Sequence, residues 1–380
     1  MAATTNPFKP TAGRTPPLLI GRESVIEDFE EGLENGPGAP GRLMRVTGAR
    51  GVGKTVLLTE FGRIAKARKW EVIDETASAG FTQRLLDRLT ASSSTFSATI
   101  KPTITIPGLS ASLGEARISP NIMPLTLREA IGARLDVLEK KKAGLLITID
   151  EAQAAERDDI VAIATAVQHL IREDRNIAFV FAGLPSIASK WLNDEVLTFL
   201  RRAQPEQLGD IPLYAVRDAL EDTFTQSGFT FEDKALSMAV DATEGYPFMI
   251  QLVGYHIWRL VNRHRDRSTS ASEQDARDGI SDALSRLGDT VHGPELDGLS
   301  AVDKTYLLAM AQDDGPSSTG AIAERMGKTI NYANTYRTRL IEAQVIKDLG
   351  YGLVDFAIPY LREYLREHAA FIRLSTESQR

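Results

Sequence analysis

Apolar positions along this 380-residue chain change period several times. "RLMRVTGARGVGKTVLLTEFGRIAKARKW" reads as a strand, a glycine loop and a helix. "WEVIDETA" supplies a second short strand, and "FTQRLLDRL" has helical spacing. "LTLREAIGARLDVLEKKK" returns to helix. "GLLITID" is a nearly continuous apolar run ending in a carboxylate, which suits a central parallel strand buried on both faces. "DDIVAIATAVQHLIRED" is an amphipathic helix and "NIAFVFAGLPS" another buried strand. This alternation predicts an α/β fold with a doubly wound parallel sheet.

One stretch breaks the pattern. Within "SSSTFSATIKPTITIPGLSASLGEARISPNIMP", Ile104 and Ile106 alternate with threonines, and Leu109, Ala111 and Leu113 alternate with small residues. Pro107-Gly108 separates the two runs, so an inserted β-hairpin is expected at about 98–115. A surface hairpin, a DNA wedge and an oligomer contact all fit it.

After Pro212 the strands stop. Helical segments joined by polar turns predict a lid over residues 213–291. In "EGYPFMIQLVG", Gly245 suits a helix end and Pro247 the first turn of the next helix. Met249, Ile250, Val253, Ile257 and Leu260 fit its buried face. "LGDTVHGPELDGLS" reads as a linker. Residues 299–370 have the lengths and spacing of a helix-turn-helix followed by a small wing and a closing helix. The expected organisation is thus an extended arm (1–16), an α/β core (17–212), the helical lid, the winged helix and a tail (371–380).

Composition narrows the chemistry. With no cysteine there are no disulfides or thiolate sites, which fits a reducing cytoplasm. The five histidines show no metal-ligand spacing. No apolar run is long enough to span a membrane. A net charge of −7 argues against a protein that coats nucleic acid, though a local basic face is compatible with it.

Gly48-Ala49-Arg50-Gly51-Val52-Gly53-Lys54-Thr55 is a complete Gly-x4-Gly-Lys-Thr loop, with a strand before it and a helix after it. Its glycines allow amides to turn inward around a triphosphate, and the helix offers its positive end. Lys54 is expected at the β- and γ-phosphates and Thr55 on magnesium. Asp150 and Glu151 close the "LLITI" strand, on the crevice that the loop faces. Asp150 can hold magnesium, and Glu151 can take a proton from the attacking water. ATP binding with Mg2+-dependent hydrolysis follows as the expected chemistry.

Together with "IGRE" (Ile20 to Glu23) and "FVFAGLPS", these motifs resemble the AAA+ ATPases of the origin-recognition-like group, and neighbouring STAND-type ATPases, over about residues 17 to 370. The resemblance implies that Gly21 and Arg22 lie near the adenine. It also implies an arginine finger acting on a neighbouring subunit, for which Arg201 and Arg202 are the candidates; solvated helix-face charges are the alternative. A polar residue is often found at the fourth strand's tip in such proteins. Here the tip is Phe181-Ala182-Gly183-Leu184 and Ser186 is the nearest hydroxyl, so hydrolysis is expected to be slow. Origin-recognition-like lids often carry Gly-Asp-x-Arg, whose arginine would fall on Phe248. STAND-like lids carry Gly-x-Pro, which implies that Pro247 packs near the nucleotide.

In the third C-terminal helix Lys328, Asn331, Asn334, Thr335 and Arg337 could meet duplex DNA. Against this, residues 299–368 hold eight Lys plus Arg and nine Asp plus Glu. The readings left standing are a DNA-associated ATP-dependent switch or loader, a STAND-like switch whose winged helix contacts protein, and a nucleotide-dependent scaffold. A homo-oligomer or a partner protein is expected in each.

Overall fold

The computed structural model describes residues 5–11, 19–91, 126–187, 191 and 197–372. The hairpin expected at about 98–115 lies outside them, as does most of the tail. Five parallel strands form the central sheet: β1 (Leu43–Thr47), β2 (Glu71–Thr76), β3 (Leu145–Asp150), β4 (Ile177–Gly183) and β5 (Gln204–Gln207). Their order is β2-β3-β4-β1-β5. Every residue of β4 is buried, as are the first five of β3, which is why both read as unbroken apolar runs. β4 therefore lies between the strand that ends in the glycine loop and the strand that ends in the acids.

Helices α1 (Glu23–Asn35) to α5 (Arg157–Arg172) cover the two faces; α2 (Lys54–Ala67), α3 (Phe81–Ala91) and α4 (Leu127–Glu139) come between. One apolar core lies under α3, α4 and α5. The other is shared by α1, α2 and four further helices: α6 (Leu213–Gln226), α7 (Asp233–Asp241), α8 (Pro247–Arg263) and α9 (Glu273–Leu287). Leu57 and Phe61 of α2, Leu220 and Phe224 of α6 and Met249 and Ile250 of α8 belong to this one cluster. The four helices that follow the sheet are packed into the same core as α1 and α2 rather than set apart from it.

The segment read as a linker is helical. α9 continues through a π-helical turn, Gly288–His292, into α10 (Gly293–Asp297). Its apolar side is buried: Leu287, His292 and Leu296 are at most 5% exposed. Gly288 admits the Tyr364 ring, which would lie 2.9 Å from a Cβ there. His292 Nε2 is bonded to the Pro359 carbonyl at 2.8 Å.

The C-terminal unit has its own core. Its order is α11 (Ala301–Met310), β8 (Ser317–Ser318), α12 (Thr319–Arg325), α13 (Ile330–Glu342), β9 (Ile346–Gly350), β10 (Leu353–Phe356) and α14 (Leu361–Glu367). The three strands form an antiparallel sheet in the order β8-β10-β9. A two-stranded parallel pair, β6 (Thr230–Phe231) with β7 (Ser270–Ala271), ties the connection between α6 and α7 to the one between α8 and α9.

The N-terminal arm is partly docked. Phe8 is 2% exposed and packs on Phe224 and on Gly254, where a Cβ would lie 2.3 Å from its ring. Asn6 Nδ2 donates to the Tyr255 carbonyl at 3.0 Å, and the Lys9 amide donates to Gln251 Oε1 at 3.1 Å. Residues 5–11 thus lie along α8.

Candidate functional site

The glycine loop leaves β1 and passes over the tip of β4, where the Gly48 amide donates to the Gly183 carbonyl at 3.3 Å. Gly48 has no room for a side chain: a Cβ would lie 2.7 Å from the Leu208 carbonyl oxygen. Gly51 and Gly53 adopt φ of +76° and +95°, which glycine takes without strain. Gly53 faces open space, and α2 begins at Lys54 directly after it. The free amides of this helix start form an anion site. Lys54 is 6% exposed, and its ammonium donates to the Gly48 and Ala49 carbonyls at 2.9 and 2.7 Å. Burial pushes its pKa down, while the Glu151 and Asp150 charges push it back up.

On the acid side, Thr55 Oγ1 donates to Asp150 Oδ2 at 2.5 Å. A hydroxyl and a carboxylate brought together at the edge of the phosphate cradle suit magnesium, which takes most of its remaining ligands from phosphate and water. Among the described residues no group of three or more His, Cys, Asp or Glu side chains forms a separate metal cage. The Glu151 amide donates to Asp150 Oδ1 at 2.8 Å, and its backbone is left-handed, with φ of +51°. This turn aims Glu151 into the cavity while Asp150 stays on Thr55.

The cavity has a volume of about 580 Å³, within the usual range for a small-molecule site. Val52 to Thr55 and Glu151 form its polar wall. Ile20, Ile211, Pro247, Phe248 and Ile250 supply an apolar wall, which fits a nucleobase. Arg22 spans from this region to the loop, donating to the Gly209 carbonyl at 2.6 Å and the Val52 carbonyl at 3.3 Å. Burial lowers its pKa, and Asp210 and Glu23 oppose that shift. Gly21, with φ of +64°, packs on Ile211 behind the wall.

Several residues at the site were not singled out from sequence. Tyr246, between Gly245 and Pro247, is 3% exposed and donates its hydroxyl to the Arg50 carbonyl at 3.0 Å. Burial pushes its pKa far up, so it stays a donor. Arg50 forms an ion pair with Glu295 of α10. The hydrogen bond to Glu295 raises the Arg50 pKa. Arg286 of α9 and Lys9, Pro10 and Thr11 also line the cavity. Phe248, aligned with the arginine of the other lid pattern, lines the apolar wall. At the tip of β4 the polar side chain is Gln153, from the turn after β3. It donates to Glu151 Oε2 and accepts from the Leu184 amide at 3.1 Å.

Arg201 and Arg202 end a 3-10 turn, Thr198–Arg202, ahead of β5; both are exposed and neither lines the cavity of its own chain. On α13 and the turn before it, Lys328, Asn331, Asn334 and Thr335 are exposed. Arg337 is turned toward β9, bonded to Asp348 at 2.5 Å. Lys328 lies over the Tyr332 ring at 5.6 Å.

Residues 18–180 match a family described as the AAA ATPase domain. Residues 289–365 match a family described as a domain of unknown function. No curated protein matches the chain by sequence. Solved structures similar to the whole chain include the Aeropyrum pernix ORC2 protein in its ADPNP-ADP complexes, with a TM-score of 0.64 and 15% identity, covering 97% of this chain and 98% of that one. A Walker-type ATPase of Pyrococcus abyssi has a TM-score of 0.66 and 18% identity, covering 92% and 96%. These likenesses establish the shared fold.

Proposed function

From the premise that residues 18–180 are an AAA ATPase domain and the protein an ATPase, we propose an ATP-dependent switch of the origin-recognition-like kind, in which lid and C-terminal unit read the state of the phosphate loop. One observation carries this: the loop is held by two elements outside the sheet, the Arg50 side chain by Glu295 and the Arg50 carbonyl by the hydroxyl of Tyr246, whose ring covers Gly51. A triphosphate filling the loop must act on both contacts.

Lys54 and the start of α2 would hold the β- and γ-phosphates, and Thr55 with Asp150 would hold Mg2+. That ion, bound with ATP, would supply neutralisation of phosphate charge. A water attacking the γ-phosphorus passes its proton to Glu151 while the bond to the β–γ bridging oxygen breaks, leaving ADP and phosphate. Gly21, Arg22 and Pro247 position the base, and the Gly-x-Pro of the lid is read as STAND-like. Arg201 or Arg202 serves a neighbouring subunit. Slow turnover belongs to this reading because β4 ends in Phe181-Ala182-Gly183, with no polar side chain of its own at the tip.

The C-terminal unit is read as a winged helix, with Lys328, Asn331, Asn334 and Thr335 facing duplex DNA in the cytoplasm. A second reading, contact with a protein partner, is favoured by the use of its arginines. Arg325, Arg337 and Arg339 are each paired within the unit, to Asp313, Asp348 and Asp303. The deciding measurement is ATP turnover with and without duplex DNA, with the mass of the assembly in each nucleotide state. DNA-stimulated turnover with ATP-dependent assembly supports the first reading. Assembly with no effect of DNA supports the second. The absence of nucleotide-dependent change in mass, turnover or proteolytic pattern overturns the switch itself.

A further inference from the structure

Gln153 occupies a place that the chemistry described so far does not use. Its side chain is clamped at both ends: Nε2 donates to Glu151 Oε2, and Oε1 accepts from the Leu184 amide at 3.1 Å. Leu184 follows Gly183, whose carbonyl accepts from the Gly48 amide of the phosphate loop at 3.3 Å. Glu151 is therefore connected, through one side chain and the tip of β4, to the loop that would hold the γ-phosphate. The backbone of Glu151 lies in the left-handed region, and Gln153 hydrogen-bonds its carboxylate.

We propose that Gln153 is the positioning residue for Glu151. Its amide N–H fixes one carboxylate oxygen, so that the other stays free to take the proton from water. The fit around Gln153 is tight. A Cβ on Gly183 would lie 2.5 Å from Gln153 Oε1 and 2.0 Å from Ile187 Cδ1, so any side chain there evicts the glutamine. A side chain spanning Glu151 and the Leu184 amide needs both a donor and an acceptor at its end, which glutamine provides and leucine, methionine and glutamate do not.

This inference rests on the reading of Glu151 as base. The experiment compares Glu151→Gln, Gln153→Leu, Gln153→Glu and the double variant Glu151→Gln with Gln153→Leu. Readouts are ATP affinity, kcat and melting temperature. Gln153→Leu is expected to leave ATP affinity within about two-fold and to lower kcat by about ten- to a hundred-fold, part of what a general base contributes. Gln153→Glu keeps an acceptor for the Leu184 amide and loses the donor to Glu151, so it should lower kcat comparably. In the Glu151→Gln background, Gln153→Leu should cost nothing more. Gln153→Leu with the kcat of the wild type, or with raised kcat, overturns the proposal. Should Gln153→Leu fail to fold, Gln153→Glu carries the test, and an unchanged kcat there overturns the proposal equally. If Glu151→Gln itself turns over normally, the reading of the base has failed, and that result is distinct from an inert Gln153.

Discussion

The hydroxyl of Tyr246 lies 3.0 Å from the carbonyl oxygen of Arg50, and its ring covers Gly51 so closely that a Cβ there would fall 1.8 Å from the phenolic oxygen. The first turn of a lid helix is thereby set against the middle of the phosphate loop. Two substitutions separate the parts of this contact. Tyr246→Phe removes one hydrogen bond and should cost about 1 kcal/mol, read as a lower melting temperature and a several-fold weaker ATP affinity. Gly51→Ala also meets the ring and carries a side chain into positive φ, so it should lose most ATP binding. Calorimetric titration with ATP checks both, and wild-type affinity in Gly51→Ala would remove the contact's claimed role.

Glu295→Gln tests the other contact. The Arg50 guanidinium is half exposed while Glu295 is largely covered, so the ion pair contributes modestly to stability. Its expected effect is on exchange. With the carboxylate neutralised, α10 holds the loop less firmly, and a fluorescent ADP analogue should dissociate several-fold faster. The melting temperature should change little. Equal dissociation rates in variant and wild type would separate the ion pair from nucleotide exchange.

Phe8 anchors residues 5–11 in the core shared by α6 and α8. Truncating a buried phenylalanine to alanine costs about 3–5 kcal/mol. Phe8→Ala should therefore destabilise the whole ATPase–lid core, although the residue lies far from the sheet in sequence. Because Lys9 to Thr11 line the cavity, ATP affinity should fall with it. A denaturant titration showing a change under about 1 kcal/mol would mean that the arm is not docked in solution.

The sheet and the phosphate loop were legible in the sequence for a physical reason. Strands buried on both faces must be apolar throughout, and a triphosphate cradle needs glycines at fixed spacing. The placing of Thr55 and Asp150 follows from the same constraint. Tyr246, Gln153 and Glu295 carry no such signature. Each acts through a contact with a residue distant in sequence or across a tight turn, and a tyrosine, a glutamine or a glutamate is common in any of these settings. Tyr246 was beside a Gly-x-Pro that already reads as a helix junction, and Phe8 sat in a Thr- and Pro-rich stretch that suggests an extended arm. The supposed linker misled because its glycines and acids look solvated. Its buried side is Leu287, Gly288, His292 and Leu296, two leucines with a glycine and a histidine between them, which show no apolar period.

Arg337 and Asp348 supply the sharpest test of what the C-terminal unit meets. Arg337 donates to Asp348 at 2.5 Å and its side chain is only 18% exposed, so as it stands it is withheld from a DNA backbone. Wild-type binding to duplex should then rest on Lys328 and the uncharged side chains of Asn331, Asn334 and Thr335, and be weak and confined to low salt. Asp348→Ala removes one negative charge and frees the guanidinium. If α13 faces DNA, the affinity of this variant should rise, and the slope of log affinity against log salt should steepen by about 1, the change for one added phosphate contact. Lys328→Ala should lower that slope by about 1. Gel shifts across a salt series give both slopes. A flat response, with no binding by wild type or by Asp348→Ala at the lowest salt, would instead assign the exposed face of α13 to a protein partner.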